Sequence, residues 1–138
     1  MKAALVTLLM LLAGCSTSPI APSAAKDAPA DSVITHKAPV AGGGAITIVR
    51  DKGGSPCDAG VFVGGELSAR MGRGERITLY LPAGRSVVSA HLVGNGLCGI
   101  KLQERGERAT AVQIASGDHF TYRMASPGNG VMTITPLN

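Results

Sequence analysis

RITLYLP, residues 76–82, decides how this chain is read. Ile77, Leu79 and Leu81 fall on one side of an extended chain and Thr78 and Tyr80 on the other, the period of two that marks a half-buried strand. Pro82-Ala83-Gly84 then interrupts the run, and SVVSAHLV (86–93) begins a new one. Working outward, the same grammar recurs in AITIVRD (45–51), GVFVG (60–64), ELSARM (66–71), GIKLQER (99–105), ATAVQIA (109–115), HFTYRMA (119–125) and VMTITP (131–136). Between the runs stand Gly64-Gly65, Gly106-Glu107, Ser116-Gly117-Asp118 and Pro127-Gly128-Asn129-Gly130, compact turns rich in residues that tolerate positive φ. No segment offers ten residues at helical spacing behind a cap. The spacing therefore predicts an all-β domain over 45–138, a small antiparallel β-sandwich or partly open barrel of about seven to nine short strands. With 2 Phe, 2 Tyr and no Trp, its core must be aliphatic and modest in volume.

The chain upstream of residue 45 has a different composition. STSPIAPSAAKDAPADSVITHKAPVAGGG, residues 16–44, mixes Pro, Ala, Ser and Gly without a sustained apolar period. It reads as a flexible tether with an end-to-end distance of about 30 Å, and His36 within it as a solvated side chain. Farther upstream, Lys2 supplies a positive start, Ala3 to Leu12 form an apolar run, and Ala13 and Gly14 precede Cys15, the build of an export signal. Ten apolar residues are too few to span a bilayer as a helix, which takes about 20. A short buried helix would need a partner that the polar, Pro-rich continuation does not offer.

Leu12-Ala13-Gly14-Cys15 closely resembles the lipobox of bacterial lipoproteins, which are cut before a cysteine that carries the lipid. The resemblance implies a diacylglyceryl group on the Cys15 sulfur and an acyl chain, such as palmitate, on its new amino terminus. It implies a division into a signal peptide (1–14), a lipidated N-terminus with linker (15–44) and the β domain (45–138). Several buried acyl chains hold a protein to a bilayer far more firmly than one. Ser16 after the lipid site is similar to lipoproteins sorted to the outer membrane, facing the periplasm.

Of 3 cysteines, the lipidated one leaves Cys57 and Cys98, an even number in an oxidising envelope, so a single intramolecular disulfide is expected. Two buried free thiols are the alternative. Charge is mild, with 13 basic side chains (one of them Lys2, in the leader) against 9 acidic ones. The arginines all lie beyond residue 45, interleaved with carboxylates, as on an ordinary solvated face. Arg70, Arg73 and Arg76 form the densest group and are the candidate contact residues for a partner. With neither a basic run nor an aromatic platform, nucleic acid binding is disfavoured.

Gly94-Asn-Gly96-Leu-Cys-Gly99 spells the G-x-G-x-x-G of a dinucleotide loop, which works only where its glycines open a helix. Here Gly99 leads into an alternating run, so a tight turn is expected and no nucleotide or other cofactor. His36, His91 and His119 are dispersed, without H-x-x-x-H or C-x-x-C spacing, and predict no metal site. Ser89, His91 and Asp118 could be imagined as a hydrolytic set, but there is no G-x-S-x-G elbow. His91 reads as a partly buried structural histidine, and Asp118 and His119 as adjacent positions pointing to opposite faces. A non-enzymatic protein is expected.

Ala45 to Pro136 also resembles the small bacterial lipoprotein domains called DUF2846, relatives in architecture of PEGA-type β-sandwich modules. The resemblance rests on AITIVR, ending at Arg50, on VFVGGEL, on LPAGRSVVSA (81–90) and on IASGDHFTYRM (114–124). Gly64 stands where relatives carry Asp, and the pair Cys57 and Cys98 is an addition. The family brings no catalytic residues. Together these readings imply an envelope lipoprotein that binds an envelope protein or peptidoglycan. The alternative is a periplasmic inhibitor of a lysozyme-like hydrolase, acting through the polar loop Ala115 to His119.

Overall fold

The computed structural model describes residues 17–99, 108–126 and 131–137. The export signal, Cys15, the turn at 127–130 and nearly all of the GIKLQER run lie outside them.

The described residues form an all-β sandwich of two open sheets. One has the order β6-β5-β8-β9, from Glu66–Met71 (β6), Asp58–Val63 (β5), Gly84–Val93 (β8) and Thr110–Ile114 (β9), and is antiparallel throughout. The other has the order β11-β10-β3-β7-β2, from Thr133–Pro136 (β11), His119–Ala125 (β10), Gly44–Arg50 (β3), Glu75–Leu81 (β7) and Lys26–Asp27 (β2). A two-residue ribbon, Thr17–Ser18 (β1) on Lys52–Gly53 (β4), sits beside them.

Inward-facing residues follow the period of two read from the sequence. Ile46, Ile48, Ile77, Leu79 and Leu81 of one sheet meet Val61, Ala69, Met71, Val88 and Ala90 of the other, all almost wholly buried. Gly60 marks the closest approach of side chains over β5: a Cβ there would stand 2.7 Å from Val93 and 2.9 Å from the Phe62 ring.

The pairing is mixed rather than purely antiparallel. β10 runs parallel to β3, with His119 opposite Ala45 and Arg123 opposite Val49, and β2 runs parallel to β7. The cause is topological: after β9 the chain crosses from one sheet to the other and enters β10 in the direction of β3. A crossover of this kind permits parallel pairing, which a tight hairpin cannot.

The larger correction concerns the tether. Residues 17–43 lie against the sandwich instead of forming a free coil. Lys26 N–H donates to Gly74 O (3.0 Å), Ala28 N–H to Arg76 O (3.0 Å), and Tyr80 N–H to His36 O (2.9 Å), so the segment follows the outer edge of β7. Midway it reaches the edge of the other sheet, where Ile34 and Thr35 N–H both donate to Ser68 O (2.8 and 3.2 Å) and Val33 pairs with Ala69. Ala25 is buried, and Ala28 and Val33 pack on the core. A Pro- and Ala-rich segment orders here because two exposed strand edges supply its hydrogen bonds and mask their own unpaired groups in return. On the opposite side, Thr110 Oγ1 donates to Ile134 O (2.7 Å) and joins β9 to β11.

Candidate functional site

Each strand of the five-stranded sheet has two ends, and the two poles of the sandwich differ chemically. At the pole where β3 ends, Arg50 takes the next inward position after Ile46 and Ile48 and is 2% exposed. Its guanidinium donates to Met71 O (2.6 Å), Ser55 O (3.1 Å) and Cys57 O (2.8 Å). Burial draws its pKa below the usual arginine value; Asp58 opposes this, Arg73 adds to it and Glu75 opposes it. Arg50 thereby shapes the loop that presents Cys57. The Cys57 and Cys98 sulfurs stand at disulfide-bonding distance with Cα atoms 5.5 Å apart, tying the entrance of β5 to the turn after β8. Gly96–Gly99 within the G-x-G-x-x-G segment form a single 3-10 turn, with Gly96 at φ +58°. Its glycines serve a tight backbone turn.

Beside Arg50, Asp51 is fully buried, and its carboxylate accepts from Arg123 Nε (2.9 Å) and Nη2 (2.5 Å) and from Thr17 Oγ1 (3.0 Å). The hydrogen bonds that Arg123 donates to Asp51 raise the Arg123 pKa. Thr17 N–H donates to Ser126 O (3.2 Å), and Ser126 N–H donates back to Thr17 Oγ1 (3.1 Å). The start of the described chain is thus clamped to the ends of both β3 and β10. Thr17 Cγ2 also closes on Gly54, where a Cβ would be 2.9 Å away.

The opposite pole carries a shallow groove of about 260 Å³ on the outer face of the mixed sheet. Its floor is the start of β3 and its walls include Tyr80, His119, Pro39 and Val40. Register explains the meeting: Ala45 pairs with Tyr80 on one side and with His119 on the other, so its small side chain leaves a trough between two rings. One row farther in, Thr47 Oγ1 shares hydrogen bonds with His119 Nε2 (2.8 Å) and Thr78 Oγ1 (3.0 Å), which fixes the imidazole. The lip is the turn 115–118. Asp118 Oδ2 accepts from Ala115 N–H (2.8 Å), Gly117 N–H donates to Gly43 O (2.9 Å), and Gly117 has φ +81°.

The residues singled out in the sequence are scattered among these features. Arg70 is exposed on β6, Arg73 is exposed in the turn before β7, and Arg76 lies on β7 of the other sheet. Arg76 is engaged by the N-terminal segment, donating to Asp27 Oδ1 (2.6 Å) and Pro22 O (2.9 Å), and that bond with Asp27 holds the carboxyl below its usual pKa. Ser89 and His91 sit on β8, with the His91 ring stacked on Phe62 at 4.1 Å, whereas Asp118 belongs to the groove lip on the other sheet. The hydrolytic set is not brought together. Tyr80, Thr47 and Thr78 went unnoticed as site residues; the available signal was the polar face of RITLYLP for Thr78 and Tyr80, and of AITIVRD for Thr47.

No protein-family model matches the chain, and comparison with curated proteins and with solved structures found no match.

Proposed function

We propose that this chain is a lipid-anchored protein of the bacterial envelope, held to the outer membrane by acylated Cys15, facing the periplasm and working as a non-enzymatic binding module. Its ligand is an envelope protein or peptidoglycan, and its contact face is the Tyr80 and His119 groove. The observation that carries this reading is polarity: Thr17, two residues beyond the lipobox cysteine, is clamped at one end of β3, and the groove lies at the other. Six residues of extended strand separate Ala45 from Asp51, about 20 Å. A protein anchored at one pole would offer the groove away from the bilayer. Recognition fits the groove's chemistry, a tyrosine and an imidazole over a trough with the backbone of a stiff glycine turn at its rim. Catalysis is disfavoured because Ser89 and His91 lie on β8 of one sheet whereas Asp118 lies in the turn at the lip of the groove on the other.

Photo-crosslinking from position 116 in intact envelopes tests the reading. Recovery of one envelope protein or of peptidoglycan fragments, lost on Tyr80→Ala, is the expected result; absence of any neighbour would overturn it. The stiffened, exposed turn 115–118 also supports a second reading, insertion into the cleft of a lysozyme-like hydrolase. Undiminished bacteriolysis in the presence of the chain would remove that one.

A further inference from the structure

We infer that the Thr17 pole of the sandwich rests directly on the bilayer and docks on anionic phospholipid headgroups through Lys52 and Arg73. The inference rests on acylation of Cys15. If the lipid is there, Thr17 follows within about 7 Å, the reach of two extended residues. Thr17 is not at the start of a long tether, because its side chain and amide are bonded to Asp51 and Ser126 at the end of the sandwich. Whatever surrounds Thr17 is therefore brought to the headgroup layer.

Cations surround it. Lys52 pairs with Ser18 in the β1–β4 ribbon and is exposed. Its stem lies along the turn before β7: a Cβ on Gly74 would stand 3.5 Å from Lys52 Cγ, and the adjacent Arg73 is exposed. Lys26, also exposed, is hydrogen-bonded through its backbone to the same Gly74. The carboxylates of this pole are largely spoken for. Asp51 is buried against Arg123 and Thr17, and Glu75 Oε2 accepts from Gly72 N–H (2.6 Å). Asp58 is exposed and opposed by the charge of Arg50. Each unpaired cation near an anionic leaflet strengthens contact by roughly fivefold, less at high salt.

The test uses the mature chain purified from membranes and reconstituted in vesicles of phosphatidylcholine alone or mixed equally with phosphatidylglycerol. Single fluorophores are placed at Ser18→Cys and, at the opposite pole, Ser116→Cys, both exposed positions. A nitroxide on the lipid headgroups is the quencher. In anionic vesicles the label at 18 should be quenched severalfold more than that at 116. Lys52→Glu combined with Arg73→Glu should bring the ratio down to its value in phosphatidylcholine. Arg85→Glu, exposed near the groove end of β8, should leave it unchanged. Equal quenching at the two positions, or one ratio in both vesicle types, overturns docking. The mass of the N-terminal peptide reports acylation separately: an acylated chain with equal quenching refutes docking alone, whereas an unacylated chain refutes the anchor and docking with it.

Discussion

Removing the Cys57–Cys98 link, by the double substitution Cys57→Ala with Cys98→Ala, should destabilise the sandwich through the unfolded chain rather than the folded one. The strands that the bridge joins are already neighbours, with Asp58 opposite Val93 in the β5–β8 ladder, so the folded geometry survives without it. In the unfolded chain the bridge closes a loop across a sequence separation of 41. The loop-closure relation puts the lost constraint at about 4 kcal/mol. Truncating Cys57, which packs on the core, adds less than about 1 kcal/mol because it is only partly buried. With a urea dependence of about 2 kcal/mol per molar, the midpoint should fall by about 2 M at an unchanged slope. Equilibrium urea unfolding followed by far-UV circular dichroism reads this directly. A shift below about 0.5 M would mean that the bridge contributes under about 1 kcal/mol, and the chain-entropy argument would fail.

Arg50→Met leaves the carbonyls of Met71, Ser55 and Cys57 without their donor, at a cost of about 1–3 kcal/mol once relief of the buried charge is counted. Arg50→Lys should not restore the urea midpoint, since one ammonium cannot span that fork; full rescue would contradict the account. Gly43→Ala places a methyl on the Leu81 carbonyl oxygen, and because backbone cannot yield as a flexible side chain can, thermal melting should register a loss of about 1–3 kcal/mol or more. Asp27 gives a pH signature. Its folded pKa is depressed by Arg76, so its stabilisation exists above the unfolded value of about 3.9 and disappears as pH falls through the lower folded value. Since the pair is exposed, the difference between the wild-type chain and Asp27→Asn should be small, fully present above about pH 4, declining below it and abolished by high salt; urea midpoints against pH at two salt concentrations check both features.

Much of the sandwich was legible because amphipathic strands write their faces into the sequence. HFTYRMA and ELSARM correspond residue for residue to β10 and β6, and RITLYLP to β7 within one position at each end. What the pattern does not carry is partnership. Nothing local to β3 tells that its neighbour is β10, some seventy residues onward and parallel. The segment 17–43 was misread for a related reason: it binds through backbone groups to the edges of β6 and β7, and a backbone amide leaves no trace in side-chain periodicity. The groove suffered from both effects. Tyr80 and His119 face each other only because two registers converge on Ala45, and Val40 joins them only because the N-terminal segment is docked. The cysteine pair, by contrast, needed only arithmetic.

The placement of β3 governs when this molecule can become itself. Its two flanking strands are synthesised at very different moments, β7 some thirty residues later and β10 some seventy residues later. Until Met124 has been made, Ile46 and Ile48 belong to a half-finished ladder with a bare flank. Assembly is therefore postponed until β10 has been made, and non-local pairing of this sort is slow. The same delay means that products truncated before β10 would expose a sticky apolar ribbon, making early termination far more harmful to solubility than loss of any surface residue.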